Sequence, residues 1–490
     1  MSLKTRAIIA IALMVGFYLL ALGIAFGLVW IPYAQYVYLD SLNLRLAFTC
    51  IAGAGIILWA IFPRQDNFVP PGPRLDAITQ PRLFSELKDI AQATNQEMPQ
   101  DVYLVSEMNA WVAQRGGILG IGSRRIMVLG LPLMALLNRS QFRAVLAHEF
   151  GHYYAGDTKL GVWIYKTRTA IWRTVTRLGI HGSFLFFLFK WYNEVFLRIT
   201  LAISRAQEHA ADRLAAQLEG ANALIEGLKQ LHRGAAAWQP YLQSTWLPIV
   251  SAGYVPSISQ GLQYFLQAPQ VNAAVEQQLE KELSYGKAEP LDSHPALPER
   301  IATLQGMEAL NIQQNPASSL ELFENLQEIE KLLTTFITGK SLQTVPWSEV
   351  LDKVWLSKWR EQVVYQQEAL REVTTSNLAD ELQSGALRQK LKNPPGMWPT
   401  TEERARMART VAGCALALLL YQEGWAVHTL PGEIHCERNG ESINPFELVK
   451  KFGKEMSQEQ WLELCTRLGL KGKPLLQKTS TAAAANSSMK

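Results

Sequence analysis

The stretch "AVLAHEFGHYYAGD", which runs from Ala144 to Asp157, contains two histidines four positions apart, with a glutamate directly after the first. In an α-helix the residues i and i+4 lie on one face, so His148 and His152 can bind the same metal ion. Glu149 is turned away by roughly a third of a revolution, because a turn takes about 3.6 residues. It can therefore reach a metal-bound water without occupying a ligand position. The simpler alternative is two surface histidines, but a chain with only eight histidines favours the metal site.

A catalytic zinc ion needs a third protein ligand and an open fourth position. The positions that would complete the pattern H-E-x-x-H-x-x-G-x-x-H are Ala155 and Thr158, which excludes that class. The other source is a glutamate from a later helix, and "SRAQEHAADRL" supplies Glu208 with Asp212 one turn further on. We predict Glu208 as the third ligand and Asp212 as the group that orients a ligating histidine. His209 lies on another face and is expected to be a bystander.

The N-terminus predicts a pair of transmembrane helices. The run "AIIAIALMVGFYLLALGIAFGLVW" (Ala7–Trp30) carries no charge and is long enough to span a bilayer, and Leu46–Phe62 is just long enough. A cleaved signal peptide is the alternative, but the apolar core is too long for one and a second span follows. Basic residues such as Lys4 and Arg64 flank the pair, so the positive-inside rule places both ends in the cytoplasm.

Composition narrows the remaining possibilities. The net charge is only +4 and we find no nucleic-acid-binding motif, so no nucleic-acid partner is expected. The four cysteines lie far apart without a C-x-x-C pair, which is typical of a reducing compartment. His181, His232, His428, His435 and Cys436 form no ligand spacing, and we therefore expect one zinc ion per chain.

The pattern of the chain predicts a mainly α (α+β) protein in three domains. Residues 1–65 would form the transmembrane hairpin anchor, and residues 66–310 a zinc-binding domain with a small β-sheet. Residues 311–490 would form a mainly helical domain with a β-hairpin around an Asn439–Gly440 turn. The run "TVAGCALALLLY" is too short for a third span and predicts a buried helix. The small-residue tail "STAAAANSSMK" is expected to be disordered.

Several local signals lie inside residues 66–310. "PRLFSELKDIAQAT" has the apolar spacing of an amphipathic helix, and "DVYLVSEMNAWVAQ" and "RRIMVLG" predict short strands. Asn138 and Ser140 are both plausible N-caps for the helix with the two histidines. Residues 160–203 mix bulky apolar side chains with basic ones, so we predict an insertion that contacts the membrane. A long core helix with one solvated edge is the alternative.

Three segments together, "VLAHEFGHYYAGD", "RAQEHAADRLA" and "DSHPALPERI", resemble the membrane-bound gluzincin family. That family includes the quality-control protease HtpX and the CAAX prenyl proteases. The resemblance covers roughly residues 68–306 and implies a zinc-dependent endopeptidase with His148, His152 and Glu208 as ligands and Glu149 as the general base. The prenyl proteases have more obvious spans than this chain, which argues against CAAX processing.

The resemblance also implies roles for residues outside the metal-binding helices. "EMNAWVAQ" resembles an edge strand of the family, where Asn109 and Ala110 would bind the backbone of a substrate by strand addition. Asp157 matches a family aspartate that follows the second histidine. His294 and Arg300 match a histidine and an arginine near the active site.

The chemistry of peptide hydrolysis agrees with this set of residues. Zinc lowers the pKa of its water to about 7, Glu149 takes the proton, and the hydroxide attacks the peptide carbonyl. The oxyanion that forms needs a donor besides the metal, which His294 or Arg300 could supply. A helix cap or a core histidine is the alternative for His294, and a salt bridge to an acid such as Asp212 is the alternative for Arg300.

We therefore expect an integral, multi-pass membrane protein with its catalytic domain on the cytoplasmic side, most simply in a bacterial inner membrane. Its partners would be the bilayer and membrane-associated or misfolded protein substrates, in membrane protein quality control or processing. The competing interpretation is a catalytically inactive membrane scaffold that acts through residues 311–490. An inactive relative usually lacks the base or a ligand, whereas this sequence keeps all four groups, which favours the enzyme.

Overall fold

The computed structural model of the protein describes residues 3–62, 66–117, 122–154, 158–179, 184–286, 294–308, 310, 312–452 and 455–476. Helices dominate these residues and the strands form small sheets, which confirms the mainly α class. The α-helices are, in chain order, α1 Leu3–Leu39, α2 Leu44–Ile61, α3 Pro81–Ala93, α4 Leu131–Leu136, α5 Arg139–Tyr154, α6 Thr158–Gly179, α7 Phe184–Glu219, α8 Ala221–Tyr241, α9 Leu247–Ser251, α10 Ile258–Gln267, α11 Pro269–Tyr285, α12 Leu297–Gln305, α13 Leu326–Thr338, α14 Leu356–Tyr365, α15 Gln367–Leu370, α16 Leu378–Gln383, α17 Ala386–Lys390, α18 Thr401–Gln422, α19 Pro445–Lys451 and α20 Gln458–Arg467. The strands are β1 Arg74–Leu75, β2 Asp101–Val105, β3 Ala110–Arg115, β4 Arg124–Gly130, β5 Tyr254–Val255, β6 Gln343–Thr344, β7 Ala426–Leu430, β8 Glu433–Arg438 and β9 Glu441–Ile443.

Contacts group the chain into two compact units. The first consists of Met1–Trp238 and Ala273–Lys340, and the second of Gln239–Asn272 and Ser341–Lys490. These units do not follow the boundaries at residues 65 and 310, because the N-terminal helices share a core with α6 and α7. The three-domain division of the sequence stays a prediction.

The helices α1 and α2 are long and apolar enough to cross a membrane. Only 22% and 28% of their most apolar windows are buried, so most of this apolar surface faces outward, unlike that of a core helix in a soluble protein. The buried side of α1 and α2 packs against α6 and the first half of α7, in a cluster that includes Phe17, Ile57, Ile171, Phe189 and Phe196. Four helices therefore share one apolar core.

The helix α7 joins this bundle to the rest of the first unit. It has 36 residues and a length of about 54 Å at roughly 1.5 Å per residue. Its N-terminal half packs in the bundle, whereas its C-terminal half packs against α5 and carries Glu208 and Asp212. One continuous helix therefore connects the apolar bundle with the predicted metal ligands.

A four-stranded sheet completes the first unit. The strand order is β1-β2-β4-β3, with β2 and β4 parallel and the other pairs antiparallel. Within the part of the chain that the structure describes, β3 pairs only with β4 and is an edge strand. The predicted amphipathic helix is α3, and its side chains Leu83, Leu87 and Ile90 are buried as the apolar spacing requires.

The second unit is built around α18. Its residues from Val411 to Leu420 are buried against α14 and α19, which confirms that "TVAGCALALLLY" forms a buried helix rather than a span. The strands β7, β8 and β9 form an antiparallel meander. The predicted turn at Asn439 and Gly440 joins β8 to β9, and both residues have the positive φ that a type I′ turn needs. The tail "STAAAANSSMK" lies outside the described residues.

Candidate metal centre and active site

The helix α5 carries the two predicted histidine ligands. Of the two candidate N-caps the structure selects Asn138, whose Oδ1 accepts the N–H of Gln141 at 2.9 Å. Gln141 returns the bond, because its Oε1 accepts the N–H of Asn138 at 3.0 Å. Ser140 is buried and instead accepts the N–H of Asn315. The capped helix places His148 in the interior and leaves His152 partly exposed.

A glycine between the two histidines lets α7 approach α5 closely. A Cβ atom on Gly151 would lie 2.9 Å from the Cα and 3.1 Å from the Cβ of Ala211. The α7 backbone would have to move to admit any other side chain at this position, because such contacts are shorter than real Cβ atoms make. The contact fixes the distance between the helix with the histidines and the helix with Glu208.

The three predicted ligands converge at this crossing. The Nε2 atom of His148 lies 3.5 Å from Glu208 Oε2, and the Nε2 atom of His152 lies 3.6 Å from Glu208 Oε1. Tetrahedral ligands at about 2.0–2.2 Å from a common zinc ion lie roughly 3.3–3.6 Å apart. The observed spacing therefore fits a zinc ion between the three side chains.

Glu208 itself supports this fit. Its Oε2 atom is buried and makes no hydrogen bond to the residues that the structure describes, although it lies within ion-pair distance of two imidazoles. A buried carboxylate oxygen without a hydrogen bond is costly unless a ligand satisfies it. Burial opposes its ionised form, but the neighbouring imidazoles of His148 and His294 hold its pKa well below the usual range. The donor set is thus a charged carboxylate with two imidazoles, which zinc prefers.

The two histidines differ in their electrostatic surroundings. Burial lowers the pKa of His152 to about 4, with a further contribution from neighbouring His148, so its imidazole is neutral at pH 7. Burial also disfavours the charged form of His148, but its contacts with Asp212 and Glu208 outweigh this effect and raise its pKa to about 9. A metal ion must therefore displace a proton from His148 Nε2, which couples binding to pH.

Asp212 contacts the ring nitrogen of His148 that does not face Glu208, and Arg300 in turn binds Asp212. The Nδ1 atom of His148 lies 2.9 Å from Asp212 Oδ1, which leaves Nε2 turned toward Glu208. Arg300 donates to both carboxylate oxygens of Asp212, from Nη2 at 2.6 Å and from Nε at 2.9 Å. Both members of this ion pair are buried. The arrangement fixes the orientation of the imidazole and its tautomer.

Three further polar side chains surround the ligands. Glu149 is partly buried, and burial raises its pKa to about 7. His294 is 57% exposed, and its Nδ1 atom lies 3.0 Å from Glu208 Oε2. His209 points elsewhere, since its Nε2 atom lies 3.3 Å from Glu299 Oε1. His294 thus contacts the ligand Glu208 from an exposed position, whereas His209 contacts Glu299 instead.

Residues 77–308 match the sequence model of peptidase family M48. This segment is an M48 metallopeptidase domain. The match includes His148, His152 and Glu208 and the helix α12 with Arg300, and it ends before residues 311–490. No match to the chain was found among curated proteins or among solved structures.

The two residues predicted to bind substrate lie at the start of the edge strand of the M48 domain, Ala110 as its first residue and Asn109 directly before it. Asn109 is exposed, and its carbonyl accepts the N–H of Gly130 on β4 at 2.8 Å. Its side chain accepts the N–H of Ala110 at 2.9 Å. Since main-chain groups alternate along a strand, those of Val112 and Gln114 face away from β4. This edge is free to pair with another strand within the described part of the domain.

The structure brings together most of the site residues predicted from the sequence. His148, His152, Glu208, Asp212 and Arg300 form one connected group with His294 and Glu149 beside it. Asp157 lies outside the described residues. Gly151 was not among the predicted residues, although a glycine inside a helical pattern is a signal of close packing.

Proposed function

We propose that the M48 domain is a zinc-dependent endopeptidase, anchored in a membrane, that cleaves membrane-proximal or misfolded protein substrates. The observation that carries the proposal is the convergence of two imidazoles and a buried carboxylate oxygen without a hydrogen bond. A general base, Glu149, follows the first imidazole directly in the sequence. An inactive scaffold would not need to keep this complete set.

The residues around the site have separate tasks in this proposal. Zinc, held by His148, His152 and Glu208, would supply a Lewis acid that polarises the peptide carbonyl and lowers the pKa of water to about 7. Glu149 accepts the proton of the attacking water. His294 is exposed at the edge of the ligand set and can donate an N–H to the oxyanion.

Arg300 is not available as the oxyanion donor that the sequence analysis considered. Its guanidinium is occupied by both oxygens of Asp212, so the salt-bridge alternative describes its contacts. We therefore propose that Arg300 acts through Asp212, which orients His148, and not as the oxyanion donor.

The edge strand β3 suggests how substrate binds. An extended peptide that pairs with β3 would use the outward main-chain groups of Val112 and Gln114. Strand β3 packs near α5, which places the bound peptide beside the helix that carries Glu149. Backbone pairing recognises extended segments with little regard to sequence, and this suits unfolded substrates in quality control.

We also propose that α6 and the first half of α7 lie in the membrane with α1 and α2. Their inner faces share the apolar core of the bundle, yet large apolar side chains also project outward, among them Trp172, Phe184, Phe187 and Trp191. A core helix with one solvated edge would not expose aromatic side chains on this scale. The protein would then be multi-pass, with the metal site on the cytoplasmic side of a membrane such as the bacterial inner membrane.

The first test replaces the base and keeps the ligands. Glu149→Gln should retain zinc and lose casein cleavage by on the order of 10²–10⁴-fold, because only the proton acceptor is removed. His152→Ala should lose both zinc and activity. Glu299→Gln, a matched change on an exposed glutamate, should behave as the unaltered protein. Cleavage by the Glu149 variant at the native rate would show that the mechanism is wrong.

The second test asks what covers the outer face of the bundle. Phe187→Cys and Trp172→Cys should react with a water-soluble maleimide in mild denaturant but not in intact vesicles, whereas Glu372→Cys should react in both. The four native cysteines are buried and serve as an internal background. Full labelling of the first two variants in vesicles would show that α6 and α7 lie in water.

A further inference from the structure

The hairpin formed by β7 and β8 carries a second group of metal-binding side chains, in the second unit and outside the M48 match. His428 and His435 are cross-strand partners in the antiparallel register, and their rings stack at 4.7 Å between centroids. Glu437 lies two positions beyond His435, so it projects from the same face. Potential ligand atoms of these three side chains all lie within 4.8 Å of one another.

The rest of the hairpin explains why these side chains meet. The residues Val427 and Cys436 alternate with the group and are buried, so the hairpin rests on its other face. Pro431 and Gly432 form the two-residue turn, and Gly432 has a φ of +80° that only glycine adopts readily. This turn fixes the pairing of His428 with His435. The sequence spacing of seven positions conceals the contact, because residues seven apart are separated by about 10 Å along a helix and by more than roughly 20 Å along a single strand.

We propose that His428, His435 and Glu437 form a second divalent metal site, which binds zinc across the two strands. Two imidazoles and one carboxylate are a donor set that zinc accepts, with water in the fourth position. The face is exposed at His428 and Glu437, so small rotations of the side chains can bring the donors to ligand distance. The three residues belong to the other compact unit and not to the one that contains His148, His152 and Glu208.

Enclosure of one ring nitrogen selects the ligating atom of His435. Its Nδ1 atom is enclosed and makes no hydrogen bond to the described residues, and it lies 3.7 Å from Glu433 Oε1. Nε2 is therefore the atom assigned to the metal, because Nδ1 is enclosed by the protein.

A simple cross-strand stack is the competing explanation for the histidine pair, since such pairs stabilise hairpins without a metal. The stack accounts for the ring contact but not for the presence of Glu437 beside both histidines. The two explanations differ in a measurable way. A stack needs no ion, whereas a metal site adds one ion to the chain.

The test counts zinc on the full chain in detergent after dialysis against a weak chelator. The unaltered protein should hold two zinc ions per chain, and the Glu208→Gln variant should hold one. In the Glu208→Gln background, His428→Gln or Glu437→Gln should remove the remaining ion, whereas His232→Gln, the matched control, should not. Titration of the Glu208→Gln variant with cobalt(II) should give the visible absorption of a tetrahedral site, and His435→Gln should abolish it.

Two results would overturn the proposal. One is a Glu208→Gln variant that holds no zinc, or that gains it only at millimolar metal. The other is zinc content that the hairpin substitutions leave unchanged. Casein cleavage separates this proposal from that of the peptidase, because His428→Gln and Glu437→Gln, made in the chain that keeps Glu208, should cleave at the native rate. A protein that holds one zinc ion and cleaves casein would refute the second site alone, and a protein that holds two ions and does not cleave would refute the peptidase alone.

Discussion

Substitution of Asp212 by asparagine tests whether Asp212 positions His148 for zinc binding, because it leaves all three predicted zinc ligands in place. The carboxylate has two partners, His148 on one side and Arg300 on the other, and Arg300 donates to both of its oxygens. Asparagine keeps one acceptor oxygen and turns the other into a donor that faces the guanidinium. The variant should therefore lose fixed orientation at His148 and leave the buried Arg300 without a counter-ion.

The burial of the two residues indicates how much stability and how much zinc affinity the variant should lose. Asp212 has no exposed surface and Arg300 has 8%, so removal of one partner should cost about 3–5 kcal/mol of unfolding free energy, nearer the lower value because one hydrogen bond survives. Loss of the partner of a ligating histidine should weaken zinc binding by about 10–100-fold. At saturating zinc, peptidase activity should largely return.

The assay measures three quantities on the same preparations: zinc affinity by chelator competition, thermal unfolding without zinc, and casein cleavage at saturating zinc. The double variant Asp212→Asn with Arg300→Gln should recover stability, since it removes the unpaired charge, but it should not recover zinc affinity. Glu299→Gln on the same helix as Arg300 is exposed and should change unfolding by less than about 0.5 kcal/mol. Unchanged zinc affinity in the single variant would refute the positioning role.

Three other changes test the neighbourhood of the site. His294→Ala should lower kcat by about 10²–10³-fold with near-normal zinc content, and an unchanged kcat would assign His294 a structural role. Gly151→Ala should lower the free energy of unfolding by about 1–3 kcal/mol and weaken zinc binding, because the new Cβ would force α7 away from α5. Gly227→Ala is the control, since its new Cβ would lie 3.5 Å from the nearest atom, and it should have neither effect. Equal effects of the two changes would contradict the importance of the close approach at Gly151. Glu86 is buried between arginines, and although burial opposes ionisation, its bonds to Arg139 and Arg143 lower its pKa in the folded state. Ionised Glu86 therefore stabilises the folded protein at pH values above 4.5, its pKa in the unfolded chain, and this stabilisation is lost as the pH falls through the lower pKa of the folded state. Glu86→Gln should accordingly make the free energy of unfolding less dependent on pH in the acid range. An unchanged slope of that dependence would contradict the prediction.

Local geometry explains which parts of the site were predictable from the sequence. The spacing of His148 and His152, and of Glu208 and Asp212, is dictated by the period of one helix, so each pair could be placed without knowledge of the fold. The same holds for the buried face of α3 and for the turn at Asn439 and Gly440. In each case the face or turn position that a residue occupies is set by the residues close to it in the chain.

Contacts between distant segments were decided only by the tertiary structure. Arg300 could have been an oxyanion donor until folding placed it against Asp212, 88 positions away. Gly151 gained its importance from the backbone of α7, and α6 acquired its apolar partners from the N-terminal helices. His428 and His435 meet because a turn folds one strand back on the other. Sequence periodicity determines which face of an element a side chain occupies, but packing against other elements determines what that side chain touches, because those contacts come from residues that no local pattern relates.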